Sequence, residues 1–133
     1  MRCLVAAGPS ATAKIEPTVL VTGGAKGVGL IISQALSAAG WKVSACGRSA
    51  AASPELCALQ RFDTYVHTDL SHMTSAKNLL WRIGPLPDAL VCNAGNYGPL
   101  GPFVGTDLRE WAASFNLNFF SIAQLIHEYL RLA

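Results

Sequence analysis

The period of the apolar positions changes along this chain, and each change marks an element. Thr18-Val19-Leu20-Val21 is apolar throughout rather than alternating, as expected of a parallel strand buried on both faces. From Gly27 the period lengthens. Leu30, Ile31, Ile32, Ala35, Leu36 and Ala39 recur at helical spacing, with no charge between Gly27 and Trp41. That predicts a largely buried helix stopped by Gly40. Lys42 to Cys46 reads as a second strand, followed by a loop over Ser49–Pro54 and a short helix around Glu55–Gln60. Thr64 to His67 reads as a third strand ending at Asp69. Ser71 is placed to cap a helix whose Ala76, Leu79, Leu80 and Ile83 share a face and which Gly84-Pro85 ends. Ala89 to Cys92 is a fourth strand, and Asn96–Gly105 a Gly/Pro loop. Thr106 is then expected to cap a long final helix. Its stripe runs through Leu108, Trp111, Ala112 and Phe115, then Phe119, Ile122, Ala123, Ile126 and Leu130.

Strands alternating with helices at these lengths imply βαβ units around a parallel sheet. Right-handed crossovers then put the strands in the order third, second, first, fourth, the beginning of a doubly wound sheet. The fourth strand is expected to form an open edge. Residues 1–16 read as a flexible tail and 17–133 as the folded portion.

Composition narrows the function. The chain has 133 residues, 51% of them hydrophobic and only 14% charged, so it can bury a core but has little charge to cover its outside, which suggests a surface covered by something else. No Lys/Arg cluster accompanies the net charge of +2, which argues against nucleic-acid binding. No run approaches the roughly 18 apolar residues of a membrane span. The cysteines at 3, 46, 57 and 92 have no metal-ligand spacing, so no metal site is expected; free thiols fit a reducing, cytoplasmic compartment. The absence of acids before Glu16 leaves organelle targeting by the tail open.

The candidate chemistry lies where the first strand meets the first helix. Thr22-Gly23-Gly24-Ala25-Lys26-Gly27-Val28-Gly29 joins them. A dinucleotide pyrophosphate needs backbone N–H groups at a positive helix end, and glycines allow both the tight turn and close approach. The context of strand, turn and helix is what such a motif requires. Cofactor choice is read at the end of the second strand. There Gly47 stands where an NAD enzyme would carry an acid, and Arg48 follows. A guanidinium can hold a 2′-phosphate that a carboxylate would repel, and Lys26 adds charge. NADP is therefore expected over NAD.

The glycine spacing resembles that of the short-chain dehydrogenase/reductase family, and three further features agree in order. Asp69-Leu70 follows the third strand, where the resemblance implies contact with the adenine amino group. Asn93-Ala94-Gly95 follows the fourth strand and is similar to the family's cleft-lining element. Asn118 lies seven residues after Trp111, where the resemblance implies a water-holding place in the proton relay. The resemblance covers about residues 17 to 133. It implies a Rossmann-type fold and an oxidoreductase that transfers hydride between NAD(P) and a small carbonyl or alcohol.

The family's proton donor is a Tyr with a Lys four residues later. Four residues after Tyr65, Tyr97 and Tyr129 come Asp69, Gly101 and Ala133. The fifth strand with its Ser is not among these residues either, so the expectation is a cofactor-binding portion, inactive alone. A non-catalytic protein binding a nucleotide or a partner is the alternative. The last helix and the open edge are expected to drive self-association.

Overall fold

The computed structural model describes the backbone of Cys3–Ala6 and residues 16–133. Five strands form one sheet: β1 (Cys3–Ala6), β2 (Thr18–Thr22), β3 (Lys42–Gly47), β4 (Phe62–His67) and β5 (Ala89–Cys92). Their spatial order is β1-β5-β2-β3-β4. The pairs β2–β3, β2–β5 and β3–β4 are parallel, which is the expected four-strand parallel order of a Rossmann-type sheet. Val19, Leu20 and Val21 are almost inaccessible, as their unbroken apolar run requires.

β1 corrects two expectations. Cys3–Ala6 was placed in the tail, and β5 was placed at an open edge. Instead β1 pairs antiparallel with β5, Cys3 opposite Cys92 and Ala6 opposite Ala89. An unpaired strand edge offers a row of backbone donors and acceptors to any extended segment within reach, and Cys3–Ala6 occupies it. The remaining residues of the expected tail before Glu16 lie outside the described residues.

Alternate side chains of the strands serve opposite faces. On one face Leu20, Leu90 and Cys92 pack against α3 (Met73–Ile83) and α5 (Ser121–Leu132) through Leu79, Leu125 and Tyr129. The buried Tyr129 hydroxyl donates to the Pro87 carbonyl at 2.9 Å, tying α5 to the approach of β5. On the other face Val19, Val21, Val43 and Val91 meet Ile32 and Leu36 of α1 (Gly27–Ala38). Ala45 and Leu56 form an adjoining cluster with α2 (Pro54–Cys57). Helices on both faces make the sheet doubly wound.

The helices differ from the expectation in instructive ways. α1 is not largely buried: only Gly29, Ser33 and Ser37 are enclosed, and Ile31 is 64% exposed. Small residues four apart bring the helix close to the sheet, so its bulky residues fall on the flanks and outer side. The Ser33 hydroxyl is satisfied by the Gly24 and Gly29 carbonyls. Ser71 does not cap α3; the N-cap is His72, with no side-chain bond. Likewise Asp107, not Thr106, caps α4 (Leu108–Phe115), accepting from the Arg109 N–H at 2.8 Å. Thr106 instead accepts a hydrogen bond from the Trp111 indole.

The final stretch is helical from Leu108 to Leu132, as expected, but not α-helical throughout. A π-helical turn, Asn116–Phe120, separates α4 from α5. The interior positions along it are Ser114, Ser121, Leu125, Glu128 and Tyr129, whereas Phe115, Phe119 and Leu130 of the expected stripe are exposed. Ile122 and Ile126 sit between, packed at the margin of the core. No helix among the described residues is long and apolar enough to cross a membrane.

Candidate functional site

The parallel strands β2, β3 and β5 all end at one side of the sheet, and their following loops surround a cleft of about 640 Å³. Open α/β sheets bind ligands at such a place, where the connections diverge to opposite faces.

The glycine turn forms its floor. Gly23 leaves β2 with φ +66° and donates its N–H to the Cys46 carbonyl at 2.8 Å. Lys26 sits at the N-cap of α1 in an extended conformation, so the first-turn amides, which have no intrahelical acceptor, come from Gly27, Val28 and Gly29. At Gly29 a Cβ would lie 2.0 Å from the Gly23 carbonyl oxygen; only glycine lets the helix approach the turn this closely. Gly27 differs. Its φ is +54°, and a Cβ there would meet nothing within 4 Å. Gly23, Lys26, Val28 and Gly29 line the cleft, while Gly27 does not.

Thr22 is also absent from the lining. It is buried, and its hydroxyl donates to the Val91 carbonyl and accepts from the Asn93 and Ala94 N–H groups at 2.9 and 3.0 Å. Its place is therefore a staple between β2 and the residues after β5. The Asn93 amide adds a bond to the Thr22 carbonyl at 3.1 Å. This pairing presents Asn93, Ala94 and Gly95 to the cleft.

Arg48 and Asp69 stand on the far side. Both line the cleft with Leu70. The Asp69 carboxylate accepts from the Ser71 N–H at 2.9 Å. Those hydrogen bonds from Ser71 hold its carboxyl below the usual range, and the nearby charges of His72 and Arg48 add to the effect. Asp69 is thus an oriented anion in the lining of the cleft. Cys46, beneath the turn, is the opposite case: burial pushes its thiol up to about 12, so it is a packed neutral group. Cys92 is buried too.

Asn118 lies in the π-helical turn at the cleft wall. Its amide oxygen accepts from the Asn96 N–H at 2.9 Å, and its NH₂ donates to the Asn96 carbonyl at 2.8 Å. A side-chain amide here imitates a strand partner and fixes the loop after Asn93-Ala94-Gly95. Ser114 completes the arrangement by donating to the Asn96 side chain at 2.7 Å.

The cleft also holds residues that the motifs did not single out. Asn96 and Tyr97 extend the β5 loop, Leu117 and Ile122 form an apolar wall, and Tyr65 and Thr68 come from β4 and its exit. Asn96 follows the Asn93–Gly95 element directly, which was the available signal for it. Tyr65 had none.

Comparison with known proteins agrees with this geometry. The family model described as short chain dehydrogenase matches residues 17–132. The chain is 32% identical over 115 residues to an uncharacterized oxidoreductase of Schizosaccharomyces pombe, covering 84% of this chain and 46% of that one. It is 34% identical over 124 residues to a rhamnolipid-biosynthesis 3-oxoacyl-(acyl-carrier-protein) reductase of Pseudomonas aeruginosa, covering 85% and 46%. Among solved structures, a Pseudomonas aeruginosa RhlG/NADP active-site complex superposes with a TM-score of 0.76 at 30% identity, over 87% of this chain and 47% of that one. A short chain dehydrogenase/reductase family protein gives 0.79 at 27% identity, over 90% and 51%. The chain spans about half the length of the relatives it matches.

Proposed function

The chain belongs to the short-chain dehydrogenase family, and on that premise we propose that it is the NADP-binding half of an oxidoreductase. The whole protein would transfer hydride between the nicotinamide and a small carbonyl or alcohol. The family binds NAD(P). One observation carries the finer reading: the glycine turn, Arg48, Asp69 and the Asn93–Gly95 element, far apart in sequence, line one cleft.

The residues fit a dinucleotide. Gly23 and Gly29 bring the α1 N-terminus close against the turn, and Gly27 leaves open space beside it, so the Val28 and Gly29 amides and Lys26 would hold the pyrophosphate. Arg48, after a side-chain-free Gly47, would take the 2′-phosphate, and Asp69 would accept from the adenine amino group. Bound NADP supplies the hydride chemistry. This chain's residues bind and orient it; Asn118 supports the wall of the cleft.

The proton-transfer groups belong, in this reading, to the remainder of a protein about twice as long. A second reading is a nucleotide- or partner-binding protein without chemistry. An in-frame Tyr-x-x-x-Lys in the coding sequence after Ala133 decides for the first. The free thiols of Cys46 and Cys57 support a cytoplasmic location, and the exposed Phe115, Phe119 and Leu130 support self-association through α4 and α5.

Calorimetric titration of the chain with NADP⁺ and NAD⁺ in one buffer tests the cofactor assignment. Tighter NADP⁺ binding, with selectivity lost in Arg48→Asp, is expected. Equal or tighter NAD⁺ binding by the unaltered chain overturns it.

A further inference from the structure

Tyr65 lies opposite Ala45 on β4 and reaches across the strand end into the cleft wall. Its hydroxyl donates to the Ser49 carbonyl at 3.0 Å. The same oxygen lies 3.0 Å from where a Cβ on Gly47 would stand, with ring carbons at 3.9 Å. One rigid side chain therefore bonds Ser49 and fills the space beside Gly47, flanking Arg48 on both sides. No other side-chain hydrogen bond to these three residues occurs among the described residues.

We propose that Tyr65 is a positioning residue for cofactor selectivity: it braces the Gly47–Ser49 segment so that Arg48 is held toward a 2′-phosphate. The assignment rests on the NADP reading above and adds a residue to it.

Two physical consequences follow. First, Arg48 is exposed at the mouth of the cleft, and a long exposed side chain loses conformational freedom when it binds. A fixed backbone on either side lowers that cost, which is the basis of preorganisation. Second, Tyr65 occupies the space a side chain at position 47 would need. A Cβ at 3.0 Å forces the phenol to give by a few tenths of an ångström, and a carboxylate would bring three further heavy atoms into the same region. The tyrosine thus discourages the acid that would select NAD, while bracing the cation that selects NADP. Partial burial raises the phenol above its usual range, so it remains a donor to Ser49 throughout the neutral region.

The test is a double-mutant cycle between Tyr65→Phe and Arg48→Gln on the 133-residue chain, read as dissociation constants for NADP⁺ and NAD⁺. Tyr65→Phe removes one hydrogen bond and keeps the ring. It should weaken NADP⁺ about three- to tenfold and change NAD⁺ less than about twofold. In the Arg48→Gln background the effect of Tyr65→Phe on NADP⁺ should fall below about twofold, since coupled residues are non-additive. Tyr65→Leu, which also removes the ring, should lower the NADP⁺/NAD⁺ ratio further. A thermal melt of each variant checks that the fold is kept. Equal weakening of both cofactors by Tyr65→Phe, no weakening, or an undiminished effect without Arg48 overturns the proposal. Failure of the unaltered chain to prefer NADP⁺ overturns the cofactor assignment instead, and the inference with it.

Discussion

Replacing Gly29 by alanine probes the closest contact in the cleft. The added Cβ would stand 2.0 Å from the Gly23 carbonyl oxygen and 2.6 Å from the Asn93 amide nitrogen. Cβ atoms essentially never approach within 3.0 Å of another heavy atom, so the helix and the turn must part by about 1 Å. The nearest atom, the Gly23 carbonyl oxygen, is backbone, fixed by the Gly23 N–H bond to Cys46 and by the Thr22 staple, so moving the Asn93 side chain alone cannot absorb the shift. Overpacking a tight site costs about 1–3 kcal/mol, occasionally more, and this geometry belongs at the upper end. For a domain of this size each kcal/mol lowers the melting temperature by roughly 3–5 °C, so Gly29→Ala should melt about 9–15 °C lower. Gly27→Ala is the control. It meets no atom within 4 Å but holds φ +54°, which costs a side chain roughly 1–2 kcal/mol. Differential scanning fluorimetry on both variants, with and without NADP⁺, separates steric from conformational cost. The reasoning fails if Gly29→Ala melts within about 2 °C of the parent, or no lower than Gly27→Ala.

Three further outcomes are expected. Cys46 has a folded pKa of about 12 against an ordinary 9.0. Between those values the unfolded chain releases a proton that the folded chain keeps, so stability should fall as pH rises, by up to about 1.4 kcal/mol per pH unit; urea melts from pH 8 to 11 on the parent and Cys46→Ala should show the slope reduced in the variant. The purified 133-residue chain should oxidise no NADPH over a panel of carbonyl compounds, and steady turnover would show that some residue here supplies the proton. Size exclusion with light scattering should find a species larger than monomer that Phe119→Ser with Leu130→Ser reduces; a monomer at every concentration would count against association through α5.

The parallel sheet could be read from the chain because its signals are local. An unbroken apolar run such as Val19-Leu20-Val21 specifies burial on both faces, and a glycine turn between strand and helix specifies its own backbone. What escaped depends on packing or on distant pairing. The buried ridge of α1 is Gly29, Ser33 and Ser37, and the α4–α5 interior includes Ser114 and Ser121. Small polar residues carry no hydropathic mark, so the bulkier neighbours were read as the inside. β1 joins β5 across most of the chain length, and four residues hold no record of a partner so remote. Thr106 and Asp107 are both competent caps, and only the backbone path decides between them. The places of Gly23, Gly29, Arg48, Asp69 and Asn93–Gly95 in the lining of one cleft follow from motif order. The roles of Thr22 as a staple, Asn118 as a clamp on Asn96, and Tyr65 as a brace exist only as hydrogen bonds between elements.

The central claim is that NADP lies along this cleft with its phosphates at the α1 N-terminus and at Arg48. Amide chemical shifts of the isotope-labelled chain, recorded during titration with NADP⁺, test it directly. The account predicts saturable shifts at Gly23–Gly29, at Gly47–Ser49 and at Asn93–Gly95, with the outer face of α5 around Leu130 unaffected. Saturable shifts confined to α4 and α5, or none in the glycine turn at saturating NADP⁺, would contradict it.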